Sequence, residues 1–238
     1  MGLHRSDLPH SVADILRRGT VIPAHPLALD ASRRFDRRRQ CALSRYYIDA
    51  GAGGLAVGVH ATQFAIREVG LYATAWTDRP LAMIAGLAGP TDQAAEEART
   101  AVSLGYHAGL LSLAAMKGAG EDELIAHCAA VAAEIPLVGF YLQPAVGGIP
   151  LSTAFWKRFA GIDNVVAIKA APFKVRIRGG LLGHWSVWTK RAVELLERIR
   201  AAVEAGSADA GLLALDSQVT DCNRAIFDVA HDFAGCLP

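Results

Sequence analysis

Asn164-Val165-Val166-Ala167-Ile168-Lys169-Ala170-Ala171-Pro172 is a short apolar run that ends on a lysine and is stopped by a proline. It reads as a buried strand. Side chains alternate between the two faces of a strand, so Val165, Ala167 and Lys169 are expected on one face and Val166 and Ile168 on the other. The absence of polar interruption is the mark of a parallel strand covered on both faces. In a parallel barrel, Lys169 then stands at the C-terminal end of the strand, where the active sites of that architecture are built.

A lysine at that place has two readings. It can bury its stem and carry its ammonium to solvent, or it can be a nucleophile that forms a Schiff base. At an ordinary pKa of about 10.4, only roughly 0.04% of a lysine is neutral at pH 7. Desolvation that lowers the pKa by about three, worth about 4 kcal/mol, turns it into a competent amine.

The 238 residues suit one large domain, and 52% of them are hydrophobic, enough for a sizeable core. A net charge of +1 argues against a nucleic-acid partner. Arg33, Arg34, Arg37, Arg38 and Arg39 read as the solvated start of a helix. Cys41, Cys128, Cys222 and Cys236 are scattered, which indicates neither a disulfide framework nor a zinc site. No run approaches about eighteen apolar residues, and no hydrophobic leader opens the chain. A soluble, cytoplasmic protein without membrane contact is expected.

The spacing predicts strands over Val21–Leu29, Gly53–His60, Leu81–Leu87, Ala108–Ala114 and Ile135–Leu142 before the Lys169 strand. Between them fall helices over Asp36–Asp49, near Thr62–Tyr72, from Thr91 to Gly105, over Glu121–Ala133, and after Ser152. Thr91 and Ser152 are capping residues, and acidic residues in the first turn of the Glu121 helix match its macrodipole. Strand starts recur at about 27 to 34 residues, the rhythm of repeated βα units.

After Lys169 the rhythm breaks. Val175–Arg178 is the next strand candidate, and Ala170–Lys174 is too short for a parallel crossover of about a dozen residues. A long helix from Trp185 to Ala205 follows, with Ala192, Leu196, Ile199 and Val203 as its inner stripe. Further helices are expected over Ala208–Leu215 and Val219–Phe233. The expected fold is an α/β (β/α)8 TIM barrel lacking one βα unit after strand six, with C-terminal helices. The barrel domain spans 1–206, and a helical extension spans 207–238.

The order of these features resembles the dihydrodipicolinate synthase / N-acetylneuraminate lyase superfamily. Lys169 in Val165-Val166-Ala167-Ile168-Lys169 matches its Schiff-base lysine. Tyr141 in Gly139-Phe140-Tyr141-Leu142-Gln143-Pro144 matches its strand-five tyrosine, in a motif usually written Tyr-Asn-x-Pro. Gly51 to Gly58, Ala85-Gly86 and Pro150-Leu151-Ser152 also fit. If Tyr141 faces inward, so do Leu137 and Gly139, while Val138, Phe140 and Leu142 face the helices. The same rule turns Ala56, Gly58 and His60 inward.

The resemblance implies a class I aldolase, lyase or dehydratase acting on a small 2-keto acid through Lys169, with Tyr141 relaying protons. It implies no metal or organic cofactor and a homo-oligomer, dimer or tetramer. The chain departs from the family where Gly58-Val59-His60-Ala61-Thr62-Gln63 replaces Gly-Thr-Thr-Gly-Glu, the carboxylate-binding motif. His60 and Thr62 are left for that anion, with His25 and the backbone of Gly179 and Gly180 as weaker candidates. The tyrosine expected after strand four is missing, and Val146 stands where an arginine is expected. The alternative expectation is therefore a catalytically inactive, shortened barrel that binds a small anion or a sister subunit.

Overall fold

The strands expected as one to six all form, as do the helices between them that can be followed. The structure is a computed structural model. It describes residues 2–59, 78–141, 148–169, 180–182, 185–207 and 211, with backbone alone at 180–182 and 185–187. His60, Thr62, Gly179, the helix expected near Thr62–Tyr72, the strand expected over Val175–Arg178 and the two C-terminal helices lie outside the described residues.

The strands are β1 (Val21–His25), β2 (Gly54–Val57), β3 (Ala82–Leu87), β4 (Ala108–Leu111), β5 (Leu137–Phe140), β6 (Val165–Lys169) and β7 (Gly180–Leu182). The helices are α1 (His10–Arg18), α2 (Arg37–Asp49), α3 (Thr91–Ser103), α4 (Glu121–Ala132), α5 (Thr153–Ala160) and α6 (Trp185–Glu204). Asp36 and Ser152 cap α2 and α5 by accepting the N–H groups of Arg39 and Phe155. Thr91 is instead the first residue of α3, after Pro90, and its hydroxyl meets Nδ1 of His127 at 2.9 Å. The arginines of residues 33–39 are exposed, as expected, with Arg34 paired to Asp30 and Arg39 to Asp36. The sequence reading did not anticipate α1, which buries Val12 alone and lacks a side-chain cap.

All pairings between these strands are parallel, in the order β6-β5-β4-β3-β2-β1-β7. β6 and β7 are the two edges of this barrel sheet, and among the described residues no strand bridges them. The barrel is incomplete after strand six. β7, at Gly180–Leu182, is set against Val21, Ile22 and Pro23. Gly-Leu-Leu is too short to show a pattern of its own. Its pairing with the distant β1 makes it a strand.

Two apolar layers flank the sheet. Leu55, Val57, Met83, Leu87, Leu111 and Leu137 meet Tyr47, Ala98, Leu124, Cys128, Phe155 and Phe159 of the helices. On the other face, Ile22, Ala24, Ala56, Val59, Ile84, Ala108, Leu110 and Val138 pack on one another, with Phe140, Val166 and Ala167 at the margin. That face is the barrel interior. Burying a large side chain such as Phe155 or Tyr47 contributes about 1.5–3 kcal/mol, so the helical layer supplies most of the cohesion. Gly86 is required where β2 and β3 end, because a β-carbon there would collide with the carbonyl of Gly58.

The foot of β6 is tied to the start of the chain. Asn164 is buried, accepts the Arg5 N–H at 2.8 Å, and donates to the carbonyls of Leu3 and Ala132 at 3.0 and 2.7 Å. By its contacts the chain divides into two units, Met1–Val193 and Glu194–Pro238, with the boundary inside α6. The sheet and α1–α5 belong to the first. In the second, Ile199 and Val203 of the expected inner stripe are exposed.

Candidate active site

Lys169 reaches the inner face by a route that simple alternation misses. The β5–β6 register pairs Leu137 with Val165 but Val138 with Ala167, so Val166 is an extra residue, a β-bulge. Val165 accordingly packs with the helical layer, while Val166 and Ala167 both touch the interior cluster. Alternation then resumes, turning Ile168 out, 39% exposed, and Lys169 in. Ala167 and Lys169 share the inner face as expected from spacing, but Val165 does not.

Lys169 pairs with Phe140, and its Nζ lies 4.3 Å above that ring's centroid. Burial pulls its pKa below the usual lysine value, and among the described residues no carboxylate pairs with it. The ring of Phe140 also forms one wall of a small opening at the C-terminal ends of β4 and β5, with Ser112, Gly148 and Leu151. Ser112 was not among the expected site residues. The alternation that turns Ala108 and Leu110 inward could have found it.

Strand five runs opposite to its expected parity. Val138 and Phe140 face the interior, Leu137 faces the helices, and a β-carbon on Gly139 would strike Phe159 and Trp156. Tyr141 follows that parity: its ring lies edge-on against Trp156 of α5, centroids 6.1 Å apart. Its N–H binds the carbonyl of Lys169 at 2.8 Å. The structure thus joins Tyr141 to Lys169 through the backbone and separates their side chains. In strand two, Ala56 faces inward as expected, but Gly58 adopts φ +69° and Val59 joins the interior cluster.

His25 is sealed against α2. Gln40 Nε2 donates to the Pro26 carbonyl (2.9 Å) and to His25 Nδ1 (2.7 Å), which leaves Nε2–H of His25 to donate to the Ser44 hydroxyl at 2.8 Å. The ring stands edge-on to Tyr47 and is 1% exposed. Burial pushes its pKa down to about 4. Expected as a weak substrate contact, it is a neutral structural histidine on the helical side. Gly180 opens β7 opposite Val21, at the N-terminal rim of a parallel sheet, whereas Lys169 ends β6 at the C-terminal rim. Its backbone pairs with β1 and does not face the lysine.

Cys128, the buried thiol of α4, is pushed up to about 12 by burial and is no nucleophile. Among the described residues no group of His, Cys, Asp and Glu is placed to hold a metal ion, and no helix is long and apolar enough to cross a membrane.

No family model matches the chain, and no curated protein matches it by sequence. Solved structures do. CdNal from Clostridium difficile, solved with mannosamine, superposes with a TM-score of 0.74 at 14% identity, over 90% of this chain and 84% of that one. The N-acetylneuraminate lyase of Fusobacterium nucleatum gives 0.74 at 13% identity, over 89% and 84%. The chloride-inhibited dihydrodipicolinate synthase of Acinetobacter baumannii, complexed with pyruvate, gives 0.74 at 19% identity, over 88% and 83%.

The fold is that of the N-acetylneuraminate lyases and dihydrodipicolinate synthases. Identity this low establishes the fold, and the chemistry has to be argued from the site.

Proposed function

We propose that this protein forms an iminium between Lys169 and the ketone carbon of a small 2-keto acid, and uses it to make or break a neighbouring C–C or C–O bond. One observation carries the reading. The lysine ends β6 at the C-terminal rim of the barrel with its side chain on the inner face, half-buried, and its pKa is lowered by desolvation. The Nζ lone pair forms the C–N bond, the carbonyl oxygen takes up one proton from Nζ and one from a general acid, and water leaves to give the iminium. In the cleaving direction a base removes the proton of the C4 hydroxyl. The C4–O bond becomes a carbonyl, and the C3–C4 electron pair moves into the iminium to give an enamine. Protonation at C3 and hydrolysis return the amine. Tyr141 enters as the proton relay on condition that its ring leaves Trp156 for the face of Lys169. A small, homo-oligomeric cytoplasmic enzyme is the setting proposed with it, and light scattering on purified protein tests the subunit number.

The test is reduction with borohydride in the presence of a panel of 2-keto acids that includes pyruvate, followed by mass spectrometry. An adduct on Lys169, absent from Lys169→Ala, is expected. A folded protein that gives no adduct with any member overturns the reading. It then favours the second one, an inactive barrel that binds a small anion or a sister subunit. That alternative has its own support: the ring of Tyr141 lies against Trp156, and His25 is sealed beneath α2.

A further inference from the structure

Strand pairing sets Phe140 directly opposite Lys169, and Nζ stands 4.3 Å over the ring centroid. An ammonium within about 6 Å of an aromatic face is attracted by the ring quadrupole, most strongly where water is displaced. The ring is fixed in turn by the interior cluster. Among the described residues no other titratable group pairs with this ammonium. Tyr141 on β5 has its ring on Trp156, Arg158 on α5 binds Asp122 on α4, and Glu121 accepts the Ser152 N–H. Lys157 on α5 and Glu123 on α4 form no recorded pair with Nζ. Burial therefore disfavours the ammonium, and among the described residues the face of Phe140 is the group that favours it.

We propose that Phe140 is a positioning residue for Lys169: its ring face holds the side chain as an ammonium at rest, and the amine becomes a nucleophile on leaving that face. The functional meaning rests on the reading of Lys169 as the imine-forming residue. On arrival of a ketone, the side chain swings off the ring, loses the cation–π attraction, and releases one proton to solvent. The remaining lone pair attacks. An aliphatic side chain at position 140 leaves burial unopposed, and a tryptophan strengthens the hold.

The experiment needs no substrate. The full chain is labelled with trace acetic anhydride across pH 6 to 11, and acetylation of the Lys169 peptide is followed by mass spectrometry, giving the titration midpoint of that lysine alone. Phe140→Leu is expected to lower the midpoint by about 0.4 to 1.5, and Phe140→Trp to raise it. A purely structural role moves both variants in the same direction or neither. A midpoint in Phe140→Leu at or above that of the parent overturns the proposal. If the leucine variant does not fold, the tryptophan variant decides: a midpoint unchanged or lowered overturns it. Borohydride trapping with the same panel of 2-keto acids on these samples separates the two ideas. Midpoints that move in opposite directions without any adduct uphold the hold by Phe140 and remove the imine reading, whereas an adduct with unmoved midpoints does the reverse.

Discussion

Phe140 and Tyr141 are consecutive residues whose rings lie on opposite faces of strand five. The first sits beneath the ammonium of Lys169, and the second sits against Trp156 of α5. The residue that resembles a family relay is therefore turned from the lysine, and the residue that contacts the lysine has no proton to give.

Lys169→Ala is expected to abolish the borohydride adduct while leaving the melting temperature within about 2 °C, because the side chain is half-buried and has no carboxylate partner among the described residues. Mass spectrometry and a thermal melt on one preparation check both halves. A large fall in stability would show that the lysine holds the sheet edge together.

Tyr141→Phe distinguishes rate from extent. Loss of a proton relay is expected to slow the approach to the trapped imine by about 100-fold while the final yield stays within about threefold. Quenched time courses measure this. An unchanged rate would mean that the ring remains on Trp156 throughout and that the relay is another group.

His25 gives the stability a pH dependence with a definite sign. Its folded pKa is about 4 against an ordinary value of 6.5, so between these values the unfolded chain binds the proton first. The stabilisation is present in full above about pH 6.5 and is lost as the pH falls through about 4, by up to about 3 kcal/mol. His107 and His127 are also lowered by burial and act in the same sense. Urea titrations at pH 7.5, 5.5 and 4.5 are expected to show this fall, with a flatter profile in His25→Gln. Equal stability at the three values would contradict the buried, neutral ring.

Asn164→Asp is expected to destabilise the protein by about 2–3 kcal/mol although it changes one atom. The amide donor to the carbonyls of Leu3 and Ala132 becomes an acceptor facing acceptors in a buried place. Denaturant midpoints measure it, and a loss below about 0.5 kcal/mol would mean that the tie between chain start and β6 carries no weight.

Much of this architecture is legible in the residues. Periodicity and caps place α2 and α5 closely, since Asp36 and Ser152 satisfy the orphan N–H groups of the helices they open. The short interval after Lys169 reveals the missing unit, because a parallel crossover has a minimum length that no folding detail can relax.

The faces are another matter. One extra residue at Val166 puts Val165 on the face opposite Ala167 and Lys169, and no pattern in Val-Val-Ala-Ile-Lys marks which residue the bulge absorbs. His25 at the end of β1 looks like a mouth residue until Gln40, Ser44 and Tyr47 of α2 close around it. Gly180 looks like a loop until it pairs with Val21. Sequence by itself determined the order of β1 to β6 with α2 to α5 between them, and the lysine at the end of strand six, because those follow from local propensity and chain spacing. Only the tertiary structure decided which side of the sheet each functional side chain occupies, because that depends on register with a partner strand distant in the chain.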